Sequence, residues 1–312
     1  MKALLFIETD GEKALGGSLE LISAVKALDA EGTALIVGNR DIADTVAVLG
    51  IPVVFTDAAI DCDTLTEVLS ETIKEQNPDI VLLTNTALAK DIAPRIAGRI
   101  CLGCVSDVIG MSKTDGKVIY TRPAYGGTIL EHIEVEGTAV VTVRNGSFPK
   151  PEAASNAGVT EKKVEIPVDV VKAKIINTVK EISESVNLEE AQVIVSGGRG
   201  MGNAENFKLV EELARVLGGV VGGTRPAIED GWISRAHQVG QSGKIVAPKL
   251  YIACGISGAT QHTSGMTGSN YIVAINKDEE APIFEIANIS IVGNVNEILP
   301  VMIEEMKKAK AE

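Results

Sequence analysis

The chain has 312 residues, of which 45% are hydrophobic and 23% charged, a composition typical of globular proteins. This length exceeds one typical core and predicts two domains. The net charge of −13 argues against nucleic acid as a partner, because a phosphate backbone needs a basic surface. No apolar run approaches the roughly 18 residues of a membrane span. A strand-like run follows Met1 at once and leaves no room for a signal or transit peptide, which predicts a cytoplasmic protein.

The first half of the chain alternates apolar runs with amphipathic segments. Buried strands are predicted at 3–7, 34–38, 52–55 and 80–84. Helices are predicted between and after them, at 18–28, 41–49, 65–76 and 88–100. This alternation indicates a parallel sheet with right-handed crossovers. Short turns separate four further strand-like runs, which predicts antiparallel pairs that extend the sheet; these runs are 106–111, 117–121, 128–135 and 139–143.

A second α/β unit follows a change of composition. Residues 147–163 are rich in small, polar and charged residues and indicate an exposed loop, and a helical pattern follows at 168–185. We therefore predict an N-terminal parallel-sheet α/β domain at 1–188 and a C-terminal Rossmann-like domain at 189–312. The elements predicted for the second domain are strands at 191–196, 220–223, 250–253 and 272–275 and helices at 207–217 and 295–310.

A glycine-rich turn at 255–262 is the most informative motif. It follows an apolar run and contains Ser257, Gln261 and His262 between or just after its glycines. A strand-to-helix turn of this kind presents backbone N–H groups and the positive end of a helix to an anion, usually a phosphate. These side chains stand where a bound ligand can meet them, so the turn predicts a cofactor site.

The turn at 197–202 does not fit the usual dinucleotide fingerprint. Its glycines are spaced G-x-G-x-G, and the strand at 220–223 runs into Thr224 and Arg225 where a ribose-binding acid is expected. A nicotinamide dinucleotide bound in the usual way is therefore disfavoured. Arg199, among four glycines, favours anion binding over a solvated surface charge. A guanidinium beside glycines, as at Arg225, suits stacking on a flat ring or pairing with phosphate.

The remaining polar residues suggest neither a metal nor a nucleophile. Cys101 and Cys104 form a C-x-x-C pair, which fits a redox dithiol or half of a zinc site, but we favour two small buried hydrophobes near a helix end. No G-x-S-x-G elbow and no H-E-x-x-H motif occur in the sequence. The polar groups at the glycine turns are mostly donors, and such a site suits an anionic, electron-accepting cofactor.

Together these motifs resemble the alpha subunit of electron transfer flavoprotein. The segments that carry the resemblance are 196–200, 223–225, 239–244, 255–262, 273–278 and 281–284, with looser matches at 92–95 and 106–107. The resemblance implies a heterodimer with a beta subunit and FAD in the C-terminal domain. It also implies an electron carrier and not a stand-alone enzyme. The carrier would take electrons from a flavin dehydrogenase, such as acyl-CoA dehydrogenase or a similar enzyme, and pass them to an acceptor. Flavin-based electron bifurcation is a special case of this function.

The resemblance also implies roles for individual residues. Arg199 and the 257–261 turn would hold the FAD pyrophosphate, and Arg225 would lie over the isoalloxazine. Ser242 would bond flavin N5, and His262 would meet the O2 side, where negative charge collects on reduction. The full set of predicted cofactor-binding residues is Arg199, Thr224, Arg225, Val239, Gly240, Gln241, Ser242, Ser257, Gly258, Ala259, Thr260, Gln261, His262, Asn276 and Asn294.

Two departures and two alternatives stay open. Asn288 and Asn294 stand where the family usually carries Asp. Asn294 either touches the adenosine half of FAD or caps the helix that begins near Val295.

One alternative function is a nucleotide-binding regulatory module without a redox role. The other is an NAD-using enzyme of deoxyhypusine-synthase-like architecture, against which the missing ribose acid argues.

Overall fold

A computed structural model describes residues 1–167, 169–173, 176 and 188–311. The chain divides into two compact units, Met1–Val179 and Lys180–Glu312. The helix predicted at 168–185 lies largely outside the described residues, and the domain boundary predicted after residue 188 stays a prediction.

The first unit is built on a seven-stranded parallel sheet with the strand order β10-β3-β2-β1-β4-β9-β5. The elements of this unit are β1 (Lys2–Phe6), α1 (Gly16–Ala27), β2 (Glu31–Val37), α2 (Arg40–Ala47), β3 (Val53–Thr56), α3 (Cys62–Gln76), β4 (Ile80–Thr84), α4 (Ala87–Ile100), β5 (Gly103–Val108), β6 (Gly110–Thr114), β7 (Lys117–Ala124), β8 (Ile129–Glu134), β9 (Ala139–Val143) and β10 (Val159–Glu161).

Both faces of this sheet are buried, which is why its strands are continuous apolar runs. In β1, Leu5 packs in one hydrophobic cluster with α1 and α2, whereas Leu4 and Phe6 pack in a second cluster with α3 and α4. Successive residues of a strand point to opposite faces, so a strand covered on both sides is apolar at nearly every position. The parallel sheet and the four helices predicted from residues 3–100 are confirmed.

The antiparallel extension predicted for this sheet is wrong. β6, β7 and β8 form a separate three-stranded antiparallel sheet, and β5 and β9 join the main sheet as a parallel pair. The predicted loop at 147–163 also contains β10, which pairs in parallel with the edge of β3. A strand of three residues at a sheet edge buries little surface, so the composition of this segment gives no signal for it.

The second unit contains a five-stranded parallel sheet with the order β12-β11-β13-β14-β15. Phe207 of α5 and Leu299 of α9 pack on one face, and Val239 and Met266 from the connecting segments pack on the other. The elements are β11 (Val193–Gly197), α5 (Ala204–Leu217), β12 (Val220–Gly223), α6 (Arg225–Glu229), β13 (Leu250–Cys254), α7 (Thr260–Thr263), β14 (Tyr271–Asn276), α8 (Ile283–Ile286), β15 (Ile289–Val292) and α9 (Val295–Ala311).

The strand order of the second sheet reverses next to β11. The chain places β12 on one side of β11 and then crosses to β13 on the other side. In open parallel sheets, ligands bind at the carboxyl edge beside such a switch point.

Among the described residues, no helix has both the length and the apolar composition needed to cross a membrane.

Candidate functional site

A cavity of about 710 Å³ lies at the carboxyl edge of the second sheet. The residues that follow four neighbouring strands line it: Gly198 after β11, Thr224 after β12, Gly255 after β13 and the last residue of β14, Asn276. Its size is within the range of small-molecule and cofactor sites. The cavity therefore occupies the switch point that the topology creates.

The turns after β11 and β13 interlock at the base of this cavity. The N–H of Gly200 donates to the carbonyl of Gly255 at 2.9 Å, and the N–H of Gly198 donates to the carbonyl of Cys254 at 2.9 Å. A Cβ atom on Gly200 would lie 2.6 Å from the Gly255 oxygen. The G-x-G-x-G spacing thus allows two backbones to approach each other, which explains why it departs from the dinucleotide fingerprint.

The turn after β13 offers backbone donors to the cavity. Gly255 and Gly258 have φ values of +62° and +92°, a left-handed conformation that a side chain would strain. In the described part of the chain, the N–H groups of Ser257, Gly258 and Ala259 have no hydrogen-bond acceptor. Successive unpaired N–H groups in a glycine turn suit a phosphate.

Cationic and polar side chains add to this donor set. Arg199 and Arg225 both line the cavity and are exposed. The Nε of Arg225 donates to Glu229 at 2.8 Å, which leaves its other guanidinium N–H groups available. The Oγ1 of Thr224 is buried and has no hydrogen-bond partner among the described residues. A buried hydroxyl without a partner is costly, so it marks a place where a ligand is expected.

The loop at 238–244 forms another wall of the cavity. The N–H of Gln241 donates to the carbonyl of Gln261 at 2.7 Å and holds this loop against the turn after β13. The Oγ of Ser242 accepts a bond of 2.9 Å from the Gln238 side chain. The hydroxyl hydrogen of Ser242 therefore remains free to donate to an acceptor in the cavity.

His262 lines the cavity but has both ring nitrogens engaged by the protein. Its Nδ1 lies 3.0 Å from the carbonyl oxygen of Val239, and its Nε2 lies 3.0 Å from the hydroxyl of Tyr251. The side chain is buried, and burial lowers the pKa of His262 to about 4. The imidazole is therefore uncharged at neutral pH.

Most of the predicted site residues meet at this cavity. Those that line it are Arg199, Thr224, Arg225, Val239, Gly240, Gln241, Ser242, Ser257, Ala259, Gln261, His262 and Asn276. Asn276 is also bonded within the protein, because its Nδ2 donates to the carbonyl of Ile256 and its Oδ1 accepts from the N–H of Asp278.

Three predicted residues are absent from the lining of this cavity as the described residues define it: Gly258, Thr260 and Asn294. Asn294 stands at the start of α9, where its Oδ1 accepts from the N–H of Asn296 at 3.1 Å and its Nδ2 donates to Glu297 at 3.0 Å. These bonds are those of a helix cap. Asn288 also has a local role, because its Oδ1 accepts from the N–H of Ile272.

Sequence reasoning missed two acidic residues of the lining, Glu229 and Asp278. Each stands shortly after a predicted site residue: Glu229 one helical turn after Arg225, and Asp278 two residues after Asn276. Their position after strand ends was the available signal.

The C-x-x-C pair lies elsewhere, in the first unit. Cys101 and Cys104 are both exposed, so the expectation that they are buried is wrong, although Cys101 does stand at the end of α4. Partial burial raises the pKa of the Cys104 thiol. A raised pKa reduces the thiolate fraction, which argues against a reactive dithiol.

Comparison with known proteins supports one family. Residues 3–169 match the family described as "Electron transfer flavoprotein domain", and residues 187–267 match "Electron transfer flavoprotein FAD-binding domain". The electron transfer flavoprotein subunit alpha of Thermoanaerobacterium thermosaccharolyticum is 45% identical over 78% of this chain and 75% of that protein. That of Bacillus subtilis is 41% identical over 79% and 76%. The mitochondrial subunit of Dictyostelium discoideum is 36% identical over 98% and 92%.

Proposed function

The chain belongs to the electron transfer flavoprotein family as an alpha subunit, and from this premise we propose that the cavity of its second unit holds FAD. FAD is the cofactor of this subunit, and electron transfer is its function. The observation that supports the location is the set of unpaired N–H groups at 257–259, beside Arg199, at the switch point of a parallel sheet.

The residues present fit this cofactor both at its pyrophosphate and at its flavin ring. The N–H groups of Ser257, Gly258 and Ala259, together with Arg199, would hold the pyrophosphate. Arg225 and the free hydroxyl hydrogen of Ser242 would face the flavin ring. The glycines at the base of the cavity let the turns after β11 and β13 pack against each other, which fixes the position of these donors.

When bound, FAD supplies the electron-accepting and electron-donating chemistry. The protein binds and orients the cofactor and stabilises the negative charge that reduction brings. Donors that are already in position need no rearrangement when charge develops, which is the electrostatic principle of such sites. Arg225 is suited to this role because only one of its N–H groups is engaged by Glu229.

Further proposals concern the partners. We infer that the chain pairs with a beta subunit and that the first unit serves as a docking scaffold. Electrons would come from a flavin dehydrogenase, such as an acyl-CoA dehydrogenase or a similar enzyme. We propose a cytoplasmic location. Whether the complex carries a second flavin and bifurcates electrons depends on the beta subunit.

An anaerobic reduction experiment tests this function. The purified complex with its beta subunit is mixed with a catalytic amount of acyl-CoA dehydrogenase and an acyl-CoA substrate, and the FAD absorbance is followed. We expect the flavin band to bleach and to recover when an acceptor dye is added. A complex whose FAD never changes redox state with any acyl-CoA or related dehydrogenase would favour a regulatory nucleotide-binding module. Bound NAD in place of FAD would favour the NAD-using alternative.

A further inference from the structure

An ion pair stands inside the lining of the cavity. Arg225 and Glu229 are the first and last residues of α6, and both line the cavity. The Nε of Arg225 donates to the Oε1 of Glu229 at 2.8 Å. Because the two residues have i,i+4 spacing, their side chains lie on the same face of the helix. The cavity therefore has a carboxylate directly beside one of its cations.

The other charged side chains of the lining are not paired in this way. The full set of charged residues that line the cavity is Arg199, Arg225, Glu229, Lys277 and Asp278. Within the described part of the chain, Arg199 and Lys277 form no ion pair. The carboxylate of Asp278 accepts from the N–H of Glu280 at 3.1 Å. The charge of Glu229 is therefore directed at one particular cation of the cavity, Arg225.

Glu229 affects both the position and the charge of the Arg225 guanidinium. The bond at Nε restrains the plane of the guanidinium and leaves the N–H groups of both terminal nitrogens available to a ligand. The carboxylate also places a negative charge next to the positive one, so the pair attracts an anion less strongly than a lone arginine does. The two side chains are 67% and 59% exposed. Water screens both charges until a ligand fills the cavity and displaces it.

From this geometry, and on the basis of the FAD site proposed above, we propose that Glu229 limits how strongly the cavity favours the reduced cofactor. Reduction brings negative charge, which the Arg225 guanidinium stabilises and the Glu229 carboxylate opposes. The midpoint potential of the bound FAD is then lower than Arg225 alone would make it. Glu229 is a positioning residue in this account, because it acts through Arg225 and through the field of its own charge.

A redox titration of Glu229→Gln in the complex with the beta subunit tests this role. The amide oxygen of glutamine can still accept from the Nε of Arg225, but the negative charge is gone. Reduced FAD should then gain about twofold to fivefold in binding relative to oxidised FAD. For one electron this raises the midpoint potential by roughly 20–40 mV. The control is Glu211→Gln, on the exposed surface of α5 and outside the cavity lining, which should leave the potential unchanged.

A double variant tests whether the two charges oppose each other. Arg225→Ala alone should lower the midpoint potential, and Glu229→Gln alone should raise it. The double variant Arg225→Ala/Glu229→Gln has lost one charge of each sign, so its potential should lie between those of the two single variants. An unchanged or lowered potential in Glu229→Gln would overturn the role of Glu229. A double variant with a potential no higher than that of Arg225→Ala would overturn it as well.

The two proposals fail in different ways. If the complex binds no FAD, the function proposed for the cavity is wrong. If FAD binds and Glu229→Gln has the potential of the parent protein, the flavoprotein function stands and the role of Glu229 is wrong. Thermal unfolding of the FAD-free chain, measured for Glu229→Gln and Glu211→Gln, checks the fold. Both positions are exposed, so we expect both variants to be as stable as the parent chain and any shift of potential to report the lost charge.

Discussion

Arg225 and His262 both line the cavity, but they bring different charges to it. The guanidinium is always charged and exposed, whereas the imidazole is buried and neutral at pH 7. The side chains that can respond to negative charge on a cofactor are therefore Arg225 and Arg199, with the backbone N–H groups of the turn after β13.

Replacing Arg225 should lower the midpoint potential of the bound FAD. Arg225→Ala removes a positive charge from the cavity, which should make reduction of the cofactor less favourable by roughly 1 kcal/mol. This value is below the usual range for a hydrogen bond to a charged group, because the Arg225 side chain is exposed and solvent screens its charge. The measurement is a redox titration monitored by absorbance. Arg215→Ala removes the same charge from the exposed surface of α5, outside the cavity lining, and serves as the control. Equal potentials for Arg225→Ala and the parent protein would contradict the assignment.

Asn294 should prove to be a helix cap and not a ligand for FAD. Because its side chain bonds Asn296 and Glu297 at the start of α9, Asn294→Ala should cost about 1 kcal/mol of stability in the apo and FAD-bound forms alike. Thermal unfolding of both forms measures this loss. Weaker FAD binding with apo stability unchanged would restore the adenosine contact suggested by resemblance.

The sequence identified most residues of the cavity but not their hydrogen bonding. Arg199, Thr224 and Ser257 could be found because each follows an apolar run at a glycine turn, which places it at the carboxyl edge of the sheet. The state of His262 could not be found, because it depends on Tyr251, 11 residues away, and Val239, 23 residues away. Which distant groups meet inside a fold is a property of packing that local pattern does not contain.

Among the structural elements, the turn after β13 carries the cavity and should tolerate little change. A Cβ atom on Gly258 would lie 2.1 Å from the backbone nitrogen of Ile283, and nothing lies within 4 Å of one on Gly231. Both glycines have positive φ, +92° and +73°, so alanine costs about 1 kcal/mol or more of backbone strain at either position. Gly258→Ala alone adds a clash that displaces the turn.

We therefore expect Gly258→Ala to lose FAD and Gly231→Ala to keep it. Fluorescence of released FAD measures the cofactor content of each purified variant, and circular dichroism confirms that each is folded. Full FAD occupancy in a folded Gly258→Ala variant would show that the turn after β13 does not hold the cofactor.

In the first unit, Glu20 links α1 to the turn after β9 and should make stability depend on pH. Its carboxylate accepts from the N–H of Gly146 at 2.7 Å, and burial raises the pKa of Glu20 from 4.5 to about 7. The folded state thus holds this proton more tightly than the unfolded state. The resulting stabilisation is complete below about pH 4.5 and is lost as the pH rises through 7.

The comparison of Glu20→Gln with the parent chain isolates this effect. We compare the free energy of unfolding in urea at pH 5 and at pH 8. Between these two pH values the parent chain should lose up to about 3 kcal/mol more of this free energy than Glu20→Gln does. Glu31→Gln, at an exposed position of β2, should behave like the parent chain. A Glu20→Gln variant with the parent's pH dependence would show that Glu20 ionises normally in the fold.

The predictability of the elements follows from how much surface each one buries. The parallel strands could be predicted because both faces are covered and nearly every position is apolar, as in the run 80–83 of β4. The sequence does not predict that β6, β7 and β8 form a separate sheet, because mixed polar and apolar strands do not indicate which sheet they join. β10 and β15 have mostly exposed residues, so their pairing is fixed by the neighbouring strands and not by their own sequence.

At the scale of the whole molecule, the two units share a parallel α/β plan but differ at their carboxyl edges. In the first unit this edge is occupied by side chains that bond one another, among them Asp107 and Arg144. In the second unit the corresponding edge consists of glycine turns with unpaired N–H groups around a cavity. This difference supports the proposal that residues 189–312, and not residues 1–188, bind the cofactor.

The FAD content of the purified complex decides whether this assignment is correct. Expressed with its beta subunit, the chain should give a yellow complex that releases at least one FAD on denaturation, and the Gly258→Ala complex should contain one FAD fewer. A second FAD in the parent complex that survives this substitution would belong to another site, as a bifurcating system requires. A colourless parent complex that takes up no FAD when the cofactor is supplied in excess, or a Gly258→Ala complex with undiminished FAD, would contradict the assignment.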